Sequence, residues 1–600
     1  MLTREPYQGG ARKLVLAFDV GTTYSGVSYC ILDPGEVPQI HSVARYPAQD
    51  HVGGHFKIPS ILYYDQGHNV RAVGAEALQE SVVEKAMDQQ WIKLTWWKMH
   101  MRPKHLAAAH ISDSDIPPLP QELTSTRVLA DFMAYLFRCA QTYIEEAHVS
   151  GRSLFASSGR KIDFVLSHPN GWEGPQQSQI RQAAVLAGLI PDTPEGQARV
   201  RLVTEGEASL HFCISNMLAS DSFSRVVIEK PGFDLKASKM TDAGVIIVDA
   251  GGGTIDLSAY ASTGSPLSFE EIAPTECSYY PLGSVFVTRR ASTMIKGYGS
   301  RFGATDYVDQ MTAAFDQEAK IRFRGVDEPT YVKFGTIRDT ELSHNIRNGR
   351  LKLQGQDVAQ LFRPSIQSTI DAIDKQRVAS NSHILFVFLV GGFAMSDYVF
   401  SELQAHLSAN GLILSRPRSD TGKAVAEGAA SFYVDHLVST RVSRFTYGID
   451  CNTPFDKKNR QHALRRHNMY TQVSGVQVIQ NVFSIILHKA TRVSETQEYR
   501  RSYWMTSVKR TGLLSLNQKI LAHRGDAPAP SFTDEDRGAL STACTVYADT
   551  SKFARLLQAR SGPSSTYYEL KFDIVLLFGL TELQAQISWI ENVSPVIRIV

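Results

Sequence analysis

Two stretches of the sequence decide the fold: Leu16-Ala-Phe-Asp-Val-Gly-Thr-Thr-Tyr-Ser25 and Val245-Ile-Ile-Val-Asp-Ala-Gly-Gly-Gly-Thr-Ile-Asp-Leu257. Each is an apolar run that ends in an aspartate, Asp19 or Asp249, and continues into a glycine turn with hydroxyl side chains. Both predict a β-hairpin whose turn can bring backbone N–H groups close to an anion, because glycine tolerates close approach and positive φ angles. One such turn alone is more often an ordinary tight turn. The repeat of strand, aspartate and turn indicates a shared phosphate site.

The two aspartates indicate a metal as well as a phosphate. A carboxylate beside each turn would repel phosphate unless a divalent cation lay between them. Asp19 and Asp249 are therefore predicted to hold Mg²⁺ largely through water molecules, since Mg²⁺ gives up its hydration shell reluctantly. The chain contains no GxxxxGK[ST] sequence, so the predicted clamp is not a P-loop.

Outward from the hairpins, buried strands alternate with helices. The apolar run Leu385–Val390 predicts a strand, and the spacing of apolar residues in Gln176–Gly188 predicts a helix. Ser396 is expected to cap a further helix, which Gly411 ends. This alternation, from about residue 12 to 440, predicts an α/β architecture with a mixed sheet.

The last quarter of the chain has a different character. After Thr446 the sequence has short β runs, such as Phe483–Leu487 and Tyr567–Phe578, and little helical periodicity. We therefore predict two domains, at residues 12–440 and 441–600. Both hairpins lie in the first of them, which is expected to contain the phosphate site.

Composition excludes several classes of protein. The 600 residues include 62 Lys and Arg and 60 Asp and Glu, and a formal charge of +2 predicts neither nucleic-acid nor anionic-membrane binding. The longest apolar run, His383–Met395, is too short for a spanning helix, and the first residues lack an apolar signal core. The six cysteines form no CxxC pair, so neither a zinc site nor a disulfide framework is expected. We expect a cytoplasmic protein, with the nucleus as the alternative.

The paired hairpins resemble the two phosphate loops of the actin-like ATPase superfamily, specifically those of the 70-kDa heat shock protein chaperones. Further segments resemble, in order, this family's short strand motif, first connecting segment, acidic connector, adenosine loop and second connector: Ile58–Ser60, Val165–Gly188, Leu202–Ala208, Leu389–Gly392 and Ala424–Ala430. The resemblance covers residues 12–440. It implies an actin-like fold of two lobes with ribonuclease-H-like halves, followed here by the C-terminal β-rich domain.

The resemblance also implies roles for residues of this chain. Asp19 and Asp249 would hold hydrated Mg²⁺, and Glu205 would orient the metal or the attacking water. A lysine of this family positions that water, and Lys98 is the preferred match, with Lys93 as the alternative. The implied catalytic set is Asp19, Lys98, Glu205, Asp249 and Thr254. The residues implied to surround the β- and γ-phosphates are Gly21, Thr22, Thr23, Tyr24, Gly251, Gly252, Gly253 and Thr254, with Gly283 in a nearby loop of the second lobe.

The adenosine end departs from the family pattern. The loop begins with Gly391 and Gly392 but continues with Phe393 and Met395, where the chaperones carry a small hydroxyl residue and an arginine that stacks on adenine. Phe393 is accordingly expected to line the base site. On the opposing helix, Lys320 is the candidate for a ribose or adenine contact. Weaker ATP binding than in the chaperones is predicted, with poorer discrimination against GTP.

The C-terminal part resembles the divergent subfamily-12 group of this family in the segments Arg444–Ile449 and Tyr567–Asn592, and it lacks the acidic linker and helical lid of the familiar chaperones. The predicted function is that of a divergent heat-shock-70-type ATPase, with ATP or ADP and Mg²⁺ as cofactors. Its nucleotide state would switch the attached β domain, and its partners would be unfolded or specific clients and co-chaperones. Two alternatives stay open: a scaffold that binds nucleotide without useful turnover, and a small-molecule kinase of the same superfamily.

Overall fold

The computed structural model describes residues 4–51, 56–103, 116–156, 162–218, 244–263, 268–278, 283–297, 300–380, 383–417, 420–525, 527–579, 582–591 and 594–599. The chain divides into two compact units. The first comprises residues 1–172 and 176–438, and the second comprises residues 173–175 and 439–600. The main division therefore falls after Val438, where the sequence predicted it after residue 440.

The first lobe of unit one is built around a central hairpin. Its strands are β1 (Lys13–Val20), β2 (Tyr24–Leu32), β3 (Ile40–Ser42), β4 (Ile58–Pro59), β5 (Leu62–Tyr64), β6 (Val70–Val73), β7 (Ile92–Leu94), β8 (Ile162–His168) and β9 (Val200–Thr204). The main sheet has the order β3-β2-β1-β8-β9, with β4 beside β2, and a small sheet has the order β6-β5-β7. Strand β1 is almost wholly buried, as expected of a central strand covered on both faces. The helices, including the one that leaves this lobe, are α1 (Glu80–Asp88), α2 (Ser125–Ala147), α3 (Gly151–Ala156), α4 (Gly174–Leu186), α5 (Pro194–Gln197) and α6 (Glu205–Leu218).

The second lobe is built around the second hairpin. Its strands are β10 (Gly244–Ala250), β11 (Ile255–Thr263), β12 (Ser268–Glu271), β13 (Glu276–Ser278), β14 (Thr330–Lys333), β15 (Ile346–Arg347), β16 (Arg350–Leu353), β17 (Ile384–Val390) and β18 (Ile413–Ser415). Within unit one the main sheet has the order β18-β17-β10-β11-β12, with β13 beside β11, and a small sheet has the order β14-β16-β15. The helices are α7 (Ser284–Gly297), α8 (Thr305–Ala314), α9 (Lys320–Arg322), α10 (Gly355–Ser380), α11 (Asp397–Ala409) and α12 (Ala424–Asp435).

The two lobes repeat one pattern of strands. In each, an antiparallel hairpin has a further antiparallel strand on one side and two parallel strands on the other, so β3-β2-β1-β8-β9 corresponds to β12-β11-β10-β17-β18. Helix α12 packs on the sheet of the first lobe, α6 packs on the sheet of the second, and the two helices pack on each other. A methyl group added at Gly428 would lie 1.8 Å from the Ala208 carbonyl oxygen, so glycine allows the helices to touch at the backbone. This repeat confirms the predicted two-lobed, actin-like α/β fold.

Helix ends follow the sequence signals in the second lobe. The Ser396 hydroxyl accepts a hydrogen bond from the Val399 N–H, 3.4 Å away, at the start of α11. Gly411 has a φ of +76° just beyond the end of this helix, which confirms the predicted stop. Among the described residues, no helix is both long and apolar enough to cross a membrane.

Unit two consists mainly of antiparallel sheets, which confirms its predicted β-rich character. Its strands are β19 (Val438–Val442), β20 (Thr446–Pro454), β21 (Met469–Thr471), β22 (Gln477–Leu487), β23 (Arg492–Ser494), β24 (Glu498–Ser507), β25 (Ser515–His523), β26 (Leu540–Asp549), β27 (Arg560–Ser561), β28 (Thr566–Gly579), β29 (Glu582–Glu591) and β30 (Ser594–Ile599). One sheet has the order β21-β22-β20-β25-β26, and another has the order β24-β28-β29-β30 with β27 beside β28. Short helices α13 (Arg460–Leu464) and α14 (Ser551–Leu556) accompany them. Apolar residues of both sheets, including Ile449, Ile520, Leu570 and Ile587, form one buried cluster.

Candidate functional site

The two glycine turns face each other in unit one. A methyl group added at Gly252 would lie 2.2 Å from Thr23 Oγ1, and one added at Gly253 would lie 2.5 Å from Thr22 Oγ1. Any side chain at these glycines would therefore clash with the threonine hydroxyls of the other turn. The structure thus brings polar groups of both predicted phosphate turns to one place.

Hydrogen bonds hold the first turn in shape. The Gly21 N–H donates to Ser25 Oγ at 3.2 Å, and the Ser60 hydroxyl donates to the Gly21 carbonyl at 2.8 Å. The two serine hydroxyls are themselves 2.8 Å apart, and the Ser60 N–H donates to the Thr23 carbonyl at 2.8 Å. Trp97 Nε1 donates to the Ser60 carbonyl at 3.0 Å. The Ile58–Ser60 motif therefore fixes the first turn, a role that the sequence did not assign to it.

The second turn is held by the start of α7 and by the loop after β17. The Ser284 and Val285 N–H groups donate to the Gly251 and Gly252 carbonyls at 3.2 and 3.1 Å. A methyl group added at Gly283 would lie 2.1 Å from the Gly252 carbonyl oxygen, so this glycine allows close packing on the turn. Gly391 has a φ of +91°, and a methyl group there would lie 2.4 Å from Asp249 Oδ1. The structure therefore places Gly283 and Gly391 against the second turn.

Four buried carboxylates lie beside the turns: Asp19, Glu205, Asp249 and Asp256, which are 3%, 8%, 4% and 0% exposed. Burial raises the pKa of Asp249 well above its ordinary value, and the nearby charges of Glu205 and Asp256 raise it further. Burial also raises the pKa of Glu205 to about 7, against the opposing effect of Lys98. The pKa of Asp256 is raised by burial, although the Asn170 N–H donates to its carboxylate at 2.7 Å. The site therefore concentrates negative charge that a cation or a proton would relieve.

Lys98 meets one of these carboxylates. Its Nζ lies 2.9 Å from Glu205 Oε1, with both side chains almost fully buried, and 5.3 Å from the centre of the Trp172 ring. Lys93, the alternative, lies in β7 with its ammonium 5.9 Å from the centre of the Tyr63 ring. The structure therefore joins Lys98, and not Lys93, to the predicted catalytic glutamate.

Lys57 is a site residue that the sequence analysis missed. Its Nζ lies 2.6 Å from Asp19 Oδ2. Burial lowers the pKa of Lys57, but the charge of Asp19 and its hydrogen bond outweigh this effect, so the pKa is raised overall. Its position directly before Ile58 was the available signal, but the sequence does not reveal that the side chain turns toward Asp19.

The carboxylates are oxygen donors of the type that binds Mg²⁺, but Asp19 and Asp249 are not equally available to an ion. Mg²⁺ prefers oxygen ligands and is usually bound by one or two carboxylates together with water molecules that it retains. Asp249 accepts a 3.0 Å hydrogen bond from the Ser209 hydroxyl at Oδ2, whereas Asp19 is already paired with Lys57. Within the part of the chain that the structure describes, no group of three or more His, Cys, Asp or Glu side chains could hold a metal ion. The donor set therefore fits a mostly hydrated ion at Asp249 better than one at Asp19.

Two further predicted residues lie near the turns. The Thr254 side chain is hydrogen-bonded to Asp256, which lowers the pKa of that carboxyl against the larger effect of burial. Tyr24 is 39% exposed, and partial burial together with the charge of Asp316 raises its pKa. The charge of Asp316, a residue of the second lobe, thus acts on Tyr24 of the first.

The adenosine end requires a correction. The side chain of Phe393 lies in the core of the second lobe, 4% exposed and stacked on the ring of Phe362 at 6.1 Å between centres. It is an apolar ring that gains more from burial among other rings than from lining an open cleft. Met395 is instead exposed, and Gly392 faces open space. Lys320 forms an ion pair with Asp316 and donates to Thr288 Oγ1 at 3.1 Å, so its ammonium already has partners in its own lobe.

Comparison with known proteins gives a distant and consistent relationship. No family model matches the chain. The chain is similar to heat shock 70 kDa protein 12A of Homo sapiens, with 22% identity over 500 residues that cover 73% of this chain and 72% of the relative. It is also similar to heat shock 70 kDa protein 12B of Homo sapiens (22% over 512 residues, 74% of this chain and 72% of the relative) and to protein 12A of Mus musculus (22% over 500 residues, 73% and 72%). The chain is therefore a divergent relative of the heat shock 70 kDa protein 12 group.

Proposed function

We propose that the protein binds ATP between the two glycine turns and hydrolyses it slowly, in the manner of a divergent 70-kDa heat shock protein. The observation that carries this proposal is the close approach of Thr22 and Thr23 to Gly252 and Gly253. Backbone N–H groups and hydroxyls of both lobes can then contact one chain of phosphates. The similarity to heat shock 70 kDa proteins 12A and 12B supports a nucleotide as the ligand.

Glu205 is the residue best suited to act on the attacking water. A carboxylate with a pKa of about 7 is matched to neutral pH, where it can both accept and release a proton. Lys98 holds this carboxylate at 2.9 Å and brings positive charge to the phosphate site. The pair would thus orient the water and offset charge that develops on the phosphate oxygens.

Asp249, with its carboxylate held by Ser209, would hold a hydrated Mg²⁺ in the proposed site. The ion, when bound, neutralises charge on the phosphates. The glycines at 251–253 and 283 would keep the second turn close enough for its N–H groups to reach the same phosphates.

A nucleotide that contacts both lobes can favour one angle between them over another, because it binds the two arrangements with different free energies. We propose that this difference is used as in a chaperone, with the nucleotide state controlling how the C-terminal unit meets unfolded or specific client proteins. The fold of the C-terminal unit, with antiparallel sheets and short helices, offers β-sheet surfaces for such contacts.

Phosphate release from the purified full chain tests the proposal. With Mg-ATP the protein should release phosphate slowly, and an unfolded client protein should change the rate. The matched control is Asp249→Asn, in which the turns stay glycine-rich but the carboxylate is absent. Release that is undetectable, or equal in the variant and the natural chain, would contradict the proposed hydrolysis.

A nucleotide-binding scaffold is the second candidate, and the ion pair between Asp19 and Lys57 favours it. One of the two expected metal carboxylates is already balanced by a lysine, which would weaken Mg²⁺-dependent turnover without preventing nucleotide binding. Calorimetric binding of ATP with no phosphate release, with or without client, would support the scaffold over the ATPase.

A further inference from the structure

Lys57 reaches the site along a path that the backbone prepares. Ile58 and Pro59 of β4 pair with Ser25 and Tyr24 of β2, which places Lys57 next to Gly26. Gly26 in turn is the partner of Asp19 across the hairpin. A methyl group added at Gly26 would lie 3.1 Å from Lys57 Cγ and 2.7 Å from the Phe56 carbonyl oxygen. The absence of a side chain at position 26 therefore lets the lysine stem pass to Asp19.

The ammonium group of Lys57 lies directly beside the Asp19 carboxylate. The Nζ–Oδ2 distance is 2.6 Å, and the side chains of Lys57 and Asp19 are only 20% and 4% exposed. Asp249 and Glu205 also lie close enough for their charges to act on this ammonium. A divalent ion at Asp19 would have to approach this fixed positive charge, and like charges in a poorly hydrated site repel strongly.

A lysine ammonium can replace part of what a metal ion does for phosphate. It carries one positive charge and three N–H donors, and Lys57 forms an ion pair with Asp19 through this ammonium. An ammonium at this place can donate to phosphate oxygens near the first turn, because the Gly21–Tyr24 backbone lies directly after Asp19. Hydrogen bonds between a lysine and phosphate are charge-assisted and stronger than those between neutral groups.

We propose that the Lys57 ammonium takes the place of a divalent ion at the Asp19 carboxylate and binds the nucleotide phosphates there. Nucleotide affinity should then depend strongly on Lys57 and only weakly on Mg²⁺. The inference rests on the proposed function, since it assumes that nucleotide binds between the turns.

Calorimetric titration of the full chain with ATP, in Mg²⁺ and in excess EDTA, tests the proposal. The natural chain should lose less than about 10-fold in affinity on chelation, while Lys57→Met should lose about 10- to 100-fold in EDTA, the range for a hydrogen bond between charged groups. Lys57→Arg, which keeps the charge, should stay within about 5-fold of the natural chain. A natural chain that loses binding in EDTA by more than about 100-fold, or a Lys57→Met variant that binds as well as the natural chain in EDTA, would overturn the proposal.

The two buffers also separate this inference from the proposed function. A natural chain that binds no ATP in either buffer refutes the function, and the inference with it, whereas binding only in Mg²⁺ refutes the inference alone. Gly26→Ala provides a second variant if Lys57→Met fails to fold, because its methyl group would push the Lys57 stem away from Asp19. This variant should also lose affinity in EDTA, and unchanged affinity would contradict the proposal.

Titration with Mn²⁺ alone gives a readout that needs no nucleotide. Removing the ammonium frees the Asp19 carboxylate, so Lys57→Met should bind Mn²⁺ at least about 10-fold more tightly than the natural chain. Equal Mn²⁺ affinity in both proteins would show that Lys57 does not exclude a metal from Asp19.

Discussion

The two hairpins of unit one share a backbone pattern but not a charge balance. In the first, Asp19 faces Gly26 across the hairpin, and the space beside the glycine admits Lys57. In the second, Asp249 faces another carboxylate, Asp256, at the same position of the ladder. The charge of Asp19 is thus compensated by a lysine, whereas the pKa of Asp249 is raised well above its ordinary value by burial and neighbouring carboxylates. The two hairpins therefore share a turn motif but differ in the charges around each aspartate, with Lys57 beside Asp19 and with burial, Glu205 and Asp256 acting on Asp249.

Loss of the Asp249 carboxylate should have the largest effect on activity. Asp249→Asn should lower Mg²⁺-dependent phosphate release by about 10²-fold or more, equivalent to about 2.7 kcal/mol of barrier, because the metal loses its carboxylate. Asp19→Asn should also lower turnover, but this loss should not change with Mg²⁺ concentration if Lys57 is the cation there. Phosphate release at several Mg²⁺ concentrations measures both variants. If both variants turned over ATP at the rate of the natural chain, Asp19 and Asp249 would not form a phosphate clamp.

The order of the two aspartates should be reversed for folding stability, where loss of the Asp19 carboxylate should have the larger effect. Asp19→Asn leaves the Lys57 ammonium without its nearest partner and should lower the free energy of unfolding by about 2 kcal/mol, less than for a fully buried pair. Asp249→Asn removes a carboxylate that its neighbours disfavour, so stability should stay within about 0.5 kcal/mol or rise. Denaturant unfolding of the metal-free proteins gives both values. Equal destabilisation by the two substitutions would mean that the hairpins do not differ as described.

The hairpins and helix ends could be predicted from the sequence because their signals are local, whereas the two-lobed actin-like fold was implied by the family resemblance. The hairpins, the helix after Ser396 and its stop at Gly411 follow from apolar runs, caps and glycines that lie close together in the chain. The place of Lys57 could not be predicted, since it depends on the register of β4 on β2 across more than 30 residues of sequence. The expected role of Phe393 depended on which way one ring points, and the ring packs on Phe362, a residue distant in the sequence.

The pH dependence of stability should report the crowding of carboxylates near the second hairpin. The pKa of Glu205 rises from its ordinary 4.5 to about 7 on folding, so its contribution to stability is present below pH 4.5 and is lost as the pH rises to about 7. Glu205→Gln should remove this loss. Between about pH 5 and about pH 7.5, the natural chain should lose more than about 1 kcal/mol relative to the variant.

Denaturant unfolding at the two pH values measures this difference. The matched control is Glu36→Gln, at an exposed position of the first lobe, which should leave the pH dependence unchanged. A Glu205→Gln variant that follows the pH dependence of the natural chain would show that the glutamate titrates normally, and that the second hairpin is no more strained by charge than the first.

The smallest effect is expected at the adenosine end. Met395 stands where the resemblance places an arginine that stacks on the base, and its side chain is 52% exposed. Met395→Arg should raise ATP affinity by about 2- to 5-fold, since a cation over an aromatic ring at an exposed site contributes about 0.5–1 kcal/mol. Calorimetric titration with ATP and GTP measures the change, with Met395→Gln as the uncharged control. No gain for either nucleotide would place the base away from Met395.

Hydrogen–deuterium exchange with and without ATP tests most directly whether both turns form one nucleotide site. The two peptides to follow cover Asp19–Ser25 and Asp249–Asp256, whose glycine turns face each other in the structure. Saturating ATP is expected to slow exchange in both peptides together, and a triphosphate should protect them more than AMP does. Bound ATP that protects only one turn, or neither, would contradict a single phosphate site shared by the two lobes.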